Sequence, residues 1–157
     1  MKNEFTPFQK ISQAHSLGCG VACVASRCGL TYVEALALFT EPENAWIRGF
    51  YCSEMIEALG RAEKLYSYVE FNPLLHAHYL QTRGSIIFVG PSPYYPAGHY
   101  LLRCTQAWMN PWANFPQMIP VEAAFEDFFR GTVTHLIFEV DSELRPKDLK
   151  AEELKQK

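Results

Sequence analysis

The residues able to do covalent chemistry concentrate between Gln13 and Gly29, QAHSLGCGVACVASRCG, where a side-chain amide precedes a cysteine set at the start of a helix. Gly18-Cys19-Gly20 breaks the chain, and VACVASRC then repeats small apolar residues at i, i+3 and i+4, the spacing of a helix buried on most faces. Gly29 supplies its stop. A thiol in the first turn meets unpaired N–H groups and the positive end of the helix dipole. Thiolate is favoured there, and Cys19 is the expected nucleophile. Cys23 and Cys28 lie deeper in the helix and are expected to pack as small hydrophobes. Core filling by all three is the competing reading, because cysteine is among the most buried residue types. The downstream company favours chemistry: His99 opens an apolar strand, and Asn110-Pro111 follows shortly after it.

The elements that must position these residues can be read in order. Phe5, Pro7, Phe8 and Ile11 anchor an extended lead-in. After the cysteine helix, Thr31 and Glu34 form a capping box for a second helix carrying Val33, Leu36, Ala37 and Phe39 at helical spacing. Ser53 is the expected N-cap of a third, with Met55, Ile56 and Leu59 on one face. LYSYVEF alternates like a strand, Asn72-Pro73 opens a fourth helix through LLHAHYLQ, and IIFVG reads as a buried strand. The proline-stiffened loop PSPYYPAG delivers the chain to His99. HYLLRC and AWMN form a hairpin about Thr105-Gln106, and Pro111 stops the pairing. VEAAFEDFFRG is expected to be an amphipathic helix with Ala124, Phe125, Phe128 and Phe129 inward, followed by the strand TVTHLIFEV. A helical first half followed by an antiparallel sheet with one late helix is an α+β pattern. A cleft between the two layers would bring Cys19 to His99.

Composition narrows the functions. A chain of 157 residues with 48% hydrophobic content fits one domain, residues 1–140, followed by a charged tail over residues 141–157. The net charge of −3 provides no electrostatic footprint for nucleic acid. The N-terminus lacks a signal-peptide core and no stretch is long enough to span a bilayer, so a cytoplasmic location is expected. Five cysteines without scaffold-like spacing suit reduced thiols. Cys19, Cys23 and Cys28 lack a Cys-x-x-Cys knuckle, and His76/His78 has no matching partner pair, so neither a metal nor another cofactor is expected.

Gln13, five intervening residues, Cys19-Gly20, Ala22 and Cys23 resemble the opening motif of the bacteriocin-processing, double-glycine cysteine peptidases of the papain-like superfamily. The order of elements is also similar from about residue 6 to residue 140, including GHYLL and the Asn110-Pro111 pair. The resemblance implies a papain-like fold in which Gln13 donates to the oxyanion, Cys19 attacks, His99 is the base and Asn110 orients His99. That family usually has Asp-Pro where this chain has Asn110-Pro111, while asparagine fills the orienting role in papain itself. The short spacing from His99 to Asn110 implies a tight hairpin. Such a site transfers an acyl group through a thioester, cutting a peptide or isopeptide bond. The family's narrow cleft points to glycine next to the cut, as in Gly-Gly tails of leader peptides or ubiquitin-like proteins.

Gly18, Gly98 and Trp108 are candidates for substrate binding, and Trp46, Tyr94, Tyr95 and Trp112 for an apolar groove, with plain packing the alternative for each aromatic. His15 is expected at the cleft rim or in solvent, His76, His78 and His135 in structural or surface roles, and Glu126 and Asp127 on a solvated helix face. Two other functions fit the same residues: a thiol amidase or acyltransferase on a small substrate, and a non-catalytic member that binds a peptide or protein partner. Replacing Cys19 by alanine is expected to abolish turnover and leave the fold intact, checked by a cleavage assay beside circular dichroism.

Overall fold

The structure is a computed structural model, and it describes residues 6–140. The expected charged tail and Phe5 lie outside those residues. The first half is helical: α1 Cys19–Cys28, α2 Tyr32–Leu36, α3 Asn44–Ile47 and α4 Cys52–Arg61. β1 Tyr66–Glu70, the short α5 Pro73–His76 with a 3-10 turn over Ala77–Gln81, and β2 Ile86–Val89 follow. β3 His99–Arg103, β4 Trp108–Asn110, β5 Ala124–Glu126 and β6 Val133–Glu139 complete one antiparallel sheet in the order β1-β6-β2-β3-β4-β5. The class is α+β, as the pattern of elements implied.

Strand alternation splits the core in two. Ile86, Tyr100, Leu102, Met109 and Ile137 face the helices, where they pack with Val21, Ala22, Cys23 and Val24 of α1 and with Met55, Ala58 and Leu59 of α4. Their neighbours Ile87, Leu101, Trp108 and Leu136 face the other way and pack with Tyr95 and Phe138. Tyr79, Leu80, Phe115 and Phe129 close that second core. Two-residue periodicity therefore serves two hydrophobic faces at once. Each fully buried Leu or Ile contributes roughly 1.5–3 kcal/mol by leaving water.

Several local signals act as expected. Gly29 adopts the left-handed conformation at φ 69°, and the backbone turns away after α1. Thr31 Oγ1 accepts from Glu34 N while Glu34 Oε1 accepts from Thr31 N, closing the capping box. Asn72 Oδ1 accepts from Leu74 N, with Pro73 at the first helical position. Cys104 N–H donates to Ala107 O, and the β3–β4 hairpin turns on the two residues between them.

Three expectations fail. VEAAFEDFFRG is not a helix: residues 124–126 form β5, registered Asn110 to Ala124 and Trp108 to Glu126. The outer edge of β4 presents unpaired backbone groups, and pairing there outweighs the helical periodicity of the segment. Phe128 is 61% exposed, so it is not inward, and Phe125 is exposed as well; Phe129 does pack, edge-on to Trp108. On α2 the buried residues are Tyr32 and Ala35, while Val33 is 74% exposed. α4 begins at Cys52, ahead of the position Ser53 would cap, because Tyr51 N–H is already met by Glu54 Oε1 at 2.8 Å. Between α2 and α4 the chain makes the single turn α3.

Gly98 sets the entry into β3. Its φ is +77°, its N–H donates to Tyr95 O, and a Cβ there would lie 2.2 Å from Phe88 Cζ and 2.9 Å from Val89 O. Gly98→Ala is expected to destabilise the protein by roughly 2–4 kcal/mol, combining a left-handed backbone penalty with overpacking. Urea unfolding measures it, and the loss should exceed that of Gly60→Ala, where nothing lies within 4 Å of the added carbon.

Candidate active site

α1 and β3 meet at their N-terminal ends. Cys19 is the first residue of α1, and its Sγ accepts from the backbone N–H of Tyr100 at 3.4 Å, one position after His99. Cys19 belongs to the helix-side core. The ring stacked on His99 is Tyr95, which belongs to the core on the far side of the sheet. Sulfur and imidazole therefore approach from opposite faces, around the start of β3. No hydrogen bond joins them among the described residues, and the sulfur's partner at rest is the Tyr100 amide.

Asn110 holds the histidine. The pairing of β3 with β4 sets Leu102 opposite Met109, so His99 and Asn110 lie on one face of two adjacent strands. His99 Nε2 and Asn110 Oδ1 are 2.8 Å apart. Trp112 N–H also donates to Oδ1 at 3.0 Å, while Asn110 Nδ2 donates to Tyr95 Oη at 2.9 Å and to Glu126 Oε1 at 2.8 Å. A backbone N–H only donates and a carboxylate only accepts, so these two partners decide which end of the amide is oxygen. It follows that His99 Nε2 carries the hydrogen. The lone pair is then on Nδ1, the nitrogen free to receive a proton.

Tyr95 stacks on the imidazole with ring centroids 4.1 Å apart and planes 8° from parallel. Stacking and the bond to Asn110 make it a clamp on both members of the pair. The aromatic loop 91–97 was expected near His99 as a groove wall, and its Tyr95 instead covers the ring. Glu126 was expected on a solvated helix face. It is half-buried on β5 and bonded to Asn110, because the strand turns residues 124 and 126 toward the face that holds residue 110.

Burial dominates the electrostatics. Cys19 is 9% exposed and His99 2%. Loss of water pushes the Cys19 thiol up to about 11 even though N–H groups of Tyr100, Gly20 and Cys19 itself pull it down. The helix-end stabilisation of thiolate expected from the sequence is thus overturned. A helix terminus offers about 0.3–1 kcal/mol, whereas full burial moves a group by several pKa units. The same desolvation pushes His99 down to about 4, opposed by its bond to Asn110. With the thiol's pKa above that of the imidazole, the proton rests on sulfur and the pair is neutral.

Gln13 is buried beside the loop that leads into α1, with its N–H donating to Pro111 O. Its Nε2 donates to His15 O at 3.0 Å and to Ser16 O at 3.1 Å, and Oε1 has no partner. Both amide hydrogens are therefore engaged at rest, and one must be released to serve an oxyanion. Gly18 N–H donates to His15 O, and a Cβ on Gly18 would sit 1.9 Å from Tyr32 Oη. That hydroxyl also bonds His15 Nδ1 at 3.0 Å, so Tyr32 braces the loop entering α1. His15 lies against Trp46, which is half exposed. Gly18 and Gly98 serve close backbone packing here, and Trp108 is buried against Phe129 with Arg103 over its ring. Trp112 is buried and donates its indole N–H to Gln117 O, while Tyr94 stays half exposed.

No family model matches the chain, and no curated protein matches it. A raised thiol pKa keeps Cys19 neutral until the pH climbs through about 11. Alkylation of Cys19 by iodoacetamide at pH 7 is accordingly expected to run about a hundredfold slower than that of an unperturbed thiol. Mass spectrometry of the modified peptides should show the half-buried Cys28 and Cys52 labelled ahead of Cys19. Early labelling of Cys19 below pH 8 would mean a thiolate already stabilised at rest.

Proposed function

We propose that this chain is a cysteine peptidase of papain-like fold, similar to the double-glycine processing peptidases, that cuts a peptide or isopeptide bond through a thioester. The observation that carries the reading is the fixed tautomer of His99 next to the start of α1. A buried histidine held by Asn110 with its lone pair on Nδ1 is poised to take a proton, and the thiol bonded to the backbone one residue after it is Cys19.

In the proposed reaction the Cys19 proton moves to His99 Nδ1 and the sulfur attacks the scissile carbonyl carbon. Cys19 N–H and a released hydrogen of Gln13 Nε2 receive the oxyanion. The carbon–nitrogen bond breaks, the leaving amine takes the proton from His99, and a thioester remains on Cys19. Water, deprotonated by His99, then releases the acid and restores the thiol. Because both side chains are buried at rest, substrate entry must displace part of the cover, and Tyr95 with the loop 91–97 lies directly over the imidazole. Cysteines in the thiol form suit the reducing cytosol expected from the sequence. Among the described residues no helix is long and apolar enough to cross a membrane.

A second reading draws on the burial of Cys19 and its raised pKa: a non-catalytic protein of the same fold that binds a peptide or protein partner. Both readings are tested with a peptide library that includes Gly-Gly sequences and a ubiquitin-like conjugate, comparing wild type with Cys19→Ala and His99→Ala. Catalysis requires cleavage by the wild type, an acyl adduct on Cys19 in the mass spectrum, and a loss of at least about a hundredfold in each variant. Peptide binding without cleavage, unchanged by either substitution, would replace the peptidase with the binding protein.

A further inference from the structure

The carboxylate of Glu126 lies behind Asn110 and takes part in none of the reaction steps above. We infer that Glu126 is a positioning residue of this site, holding the Asn110 amide that orients His99 and placing a negative charge behind the imidazole. The inference rests on the peptidase reading above. β5 pairs with β4 so that Glu126 is opposite Trp108, one diagonal step from Asn110, and its Oε1 is 2.8 Å from Asn110 Nδ2. Among the described residues, no other carboxylate is hydrogen-bonded to Cys19, His99 or Asn110.

The chemistry needs such a group. His99 is buried without a carboxylate of its own, yet it must carry a positive charge after taking the thiol proton. An amide whose N–H donates to an ionised oxygen is polarised, and its carbonyl oxygen becomes the stronger acceptor toward Nε2–H. Glu126 thereby favours the imidazolium more than the neutral ring. It acts through Asn110 without touching a reacting atom. The other titratable or charged groups about the ring are Cys19 from α1, Tyr95 from the loop before β3, and Arg130 beyond β5, whose guanidinium lies over the Tyr94 ring and whose charge is felt at Tyr95. Tyr95 supplies an uncharged acceptor for the second Asn110 hydrogen, so the charge comes from Glu126 alone among the amide's partners.

A carboxylate that merely satisfied a buried amide would affect stability and leave turnover unmoved. The test is steady-state kinetics on the selected peptide with Glu126→Gln, which keeps an acceptor oxygen and removes the charge. We expect kcat to fall about tenfold with KM within about twofold of wild type, the signature of an interaction made after binding. In an Asn110→Ala background the same substitution is expected to change kcat less than about twofold, because its effect runs through the amide. Glu126→Asp, which keeps the charge on a shorter stem, is expected to retain more kcat than Glu126→Gln and covers the case in which the glutamine variant fails to fold. Wild-type kcat in Glu126→Gln, an equal loss in both backgrounds, or a lower kcat in Glu126→Asp than in Glu126→Gln overturns the inference and leaves the peptidase standing. Turnover that survives Cys19→Ala, or its absence from the wild type, overturns the peptidase reading and this inference with it.

Discussion

A single buried amide organises the polar part of this protein. Asn110 has two donors and two acceptor positions, and all four are used: Oδ1 by His99 and Trp112, Nδ2 by Tyr95 and Glu126. Such groups are costly to bury unless every position is met, and a fully met network admits one arrangement. Each partner comes from a different part of the chain. β3 brings the histidine, the loop before it the tyrosine, the turn after β4 the backbone N–H, and β5 the carboxylate. The far side of the sheet is in this sense assembled around residue 110. The imidazole's tautomer follows from the geometry of its neighbours, independently of any bond to sulfur.

Against that ordered half stands a thiol that is chemically quiet. Two effects compete at Cys19. The N–H groups at the start of α1 and the Tyr100 amide favour thiolate, and removal from water disfavours it. Burial wins because a weakly accepting sulfur collects few strong bonds in exchange for its hydration. The neutral pair that results is a resting state with low intrinsic reactivity. Whatever exposes the sulfur, or brings it from the Tyr100 amide to the ring of His99, alters that balance.

The sheet explains how two side chains from separate cores come to share one corner. Cys19 is rooted in the helical layer and His99 in the layer beneath, and only at the N-terminal end of β3 does the chain let both past the edge of the strand. Packing on each side holds its own residue, so the distance between sulfur and imidazole is set by how the layers sit on each other. Gly98 and the loop 91–97 lie at that junction. Their conformation governs both the entry into the strand and the cover over the ring.

The local and the distant parted company along this chain for physical reasons. Residue types and spacing were enough for the cysteine helix and its glycine stop, the capping box at Thr31 and Glu34, the Asn72-Pro73 helix start and the tight hairpin, because short-range sterics and hydrogen bonds decide those features; the contact of His99 with Asn110 was implied by the family resemblance alone. The segment around Phe125 has the apolar spacing of a helix, and only the open edge of β4 makes it a strand, which turns Glu126 toward Asn110 and away from solvent. The state of the thiol was out of reach for the same kind of reason. A helix end is visible in the order of residues, but the amount of water removed from a sulfur is a sum over neighbours that the order of residues does not reveal. Sequence alone determined which groups were available for chemistry; tertiary packing decided their protonation, their partners and their burial, because desolvation and strand pairing act between segments far apart in the chain.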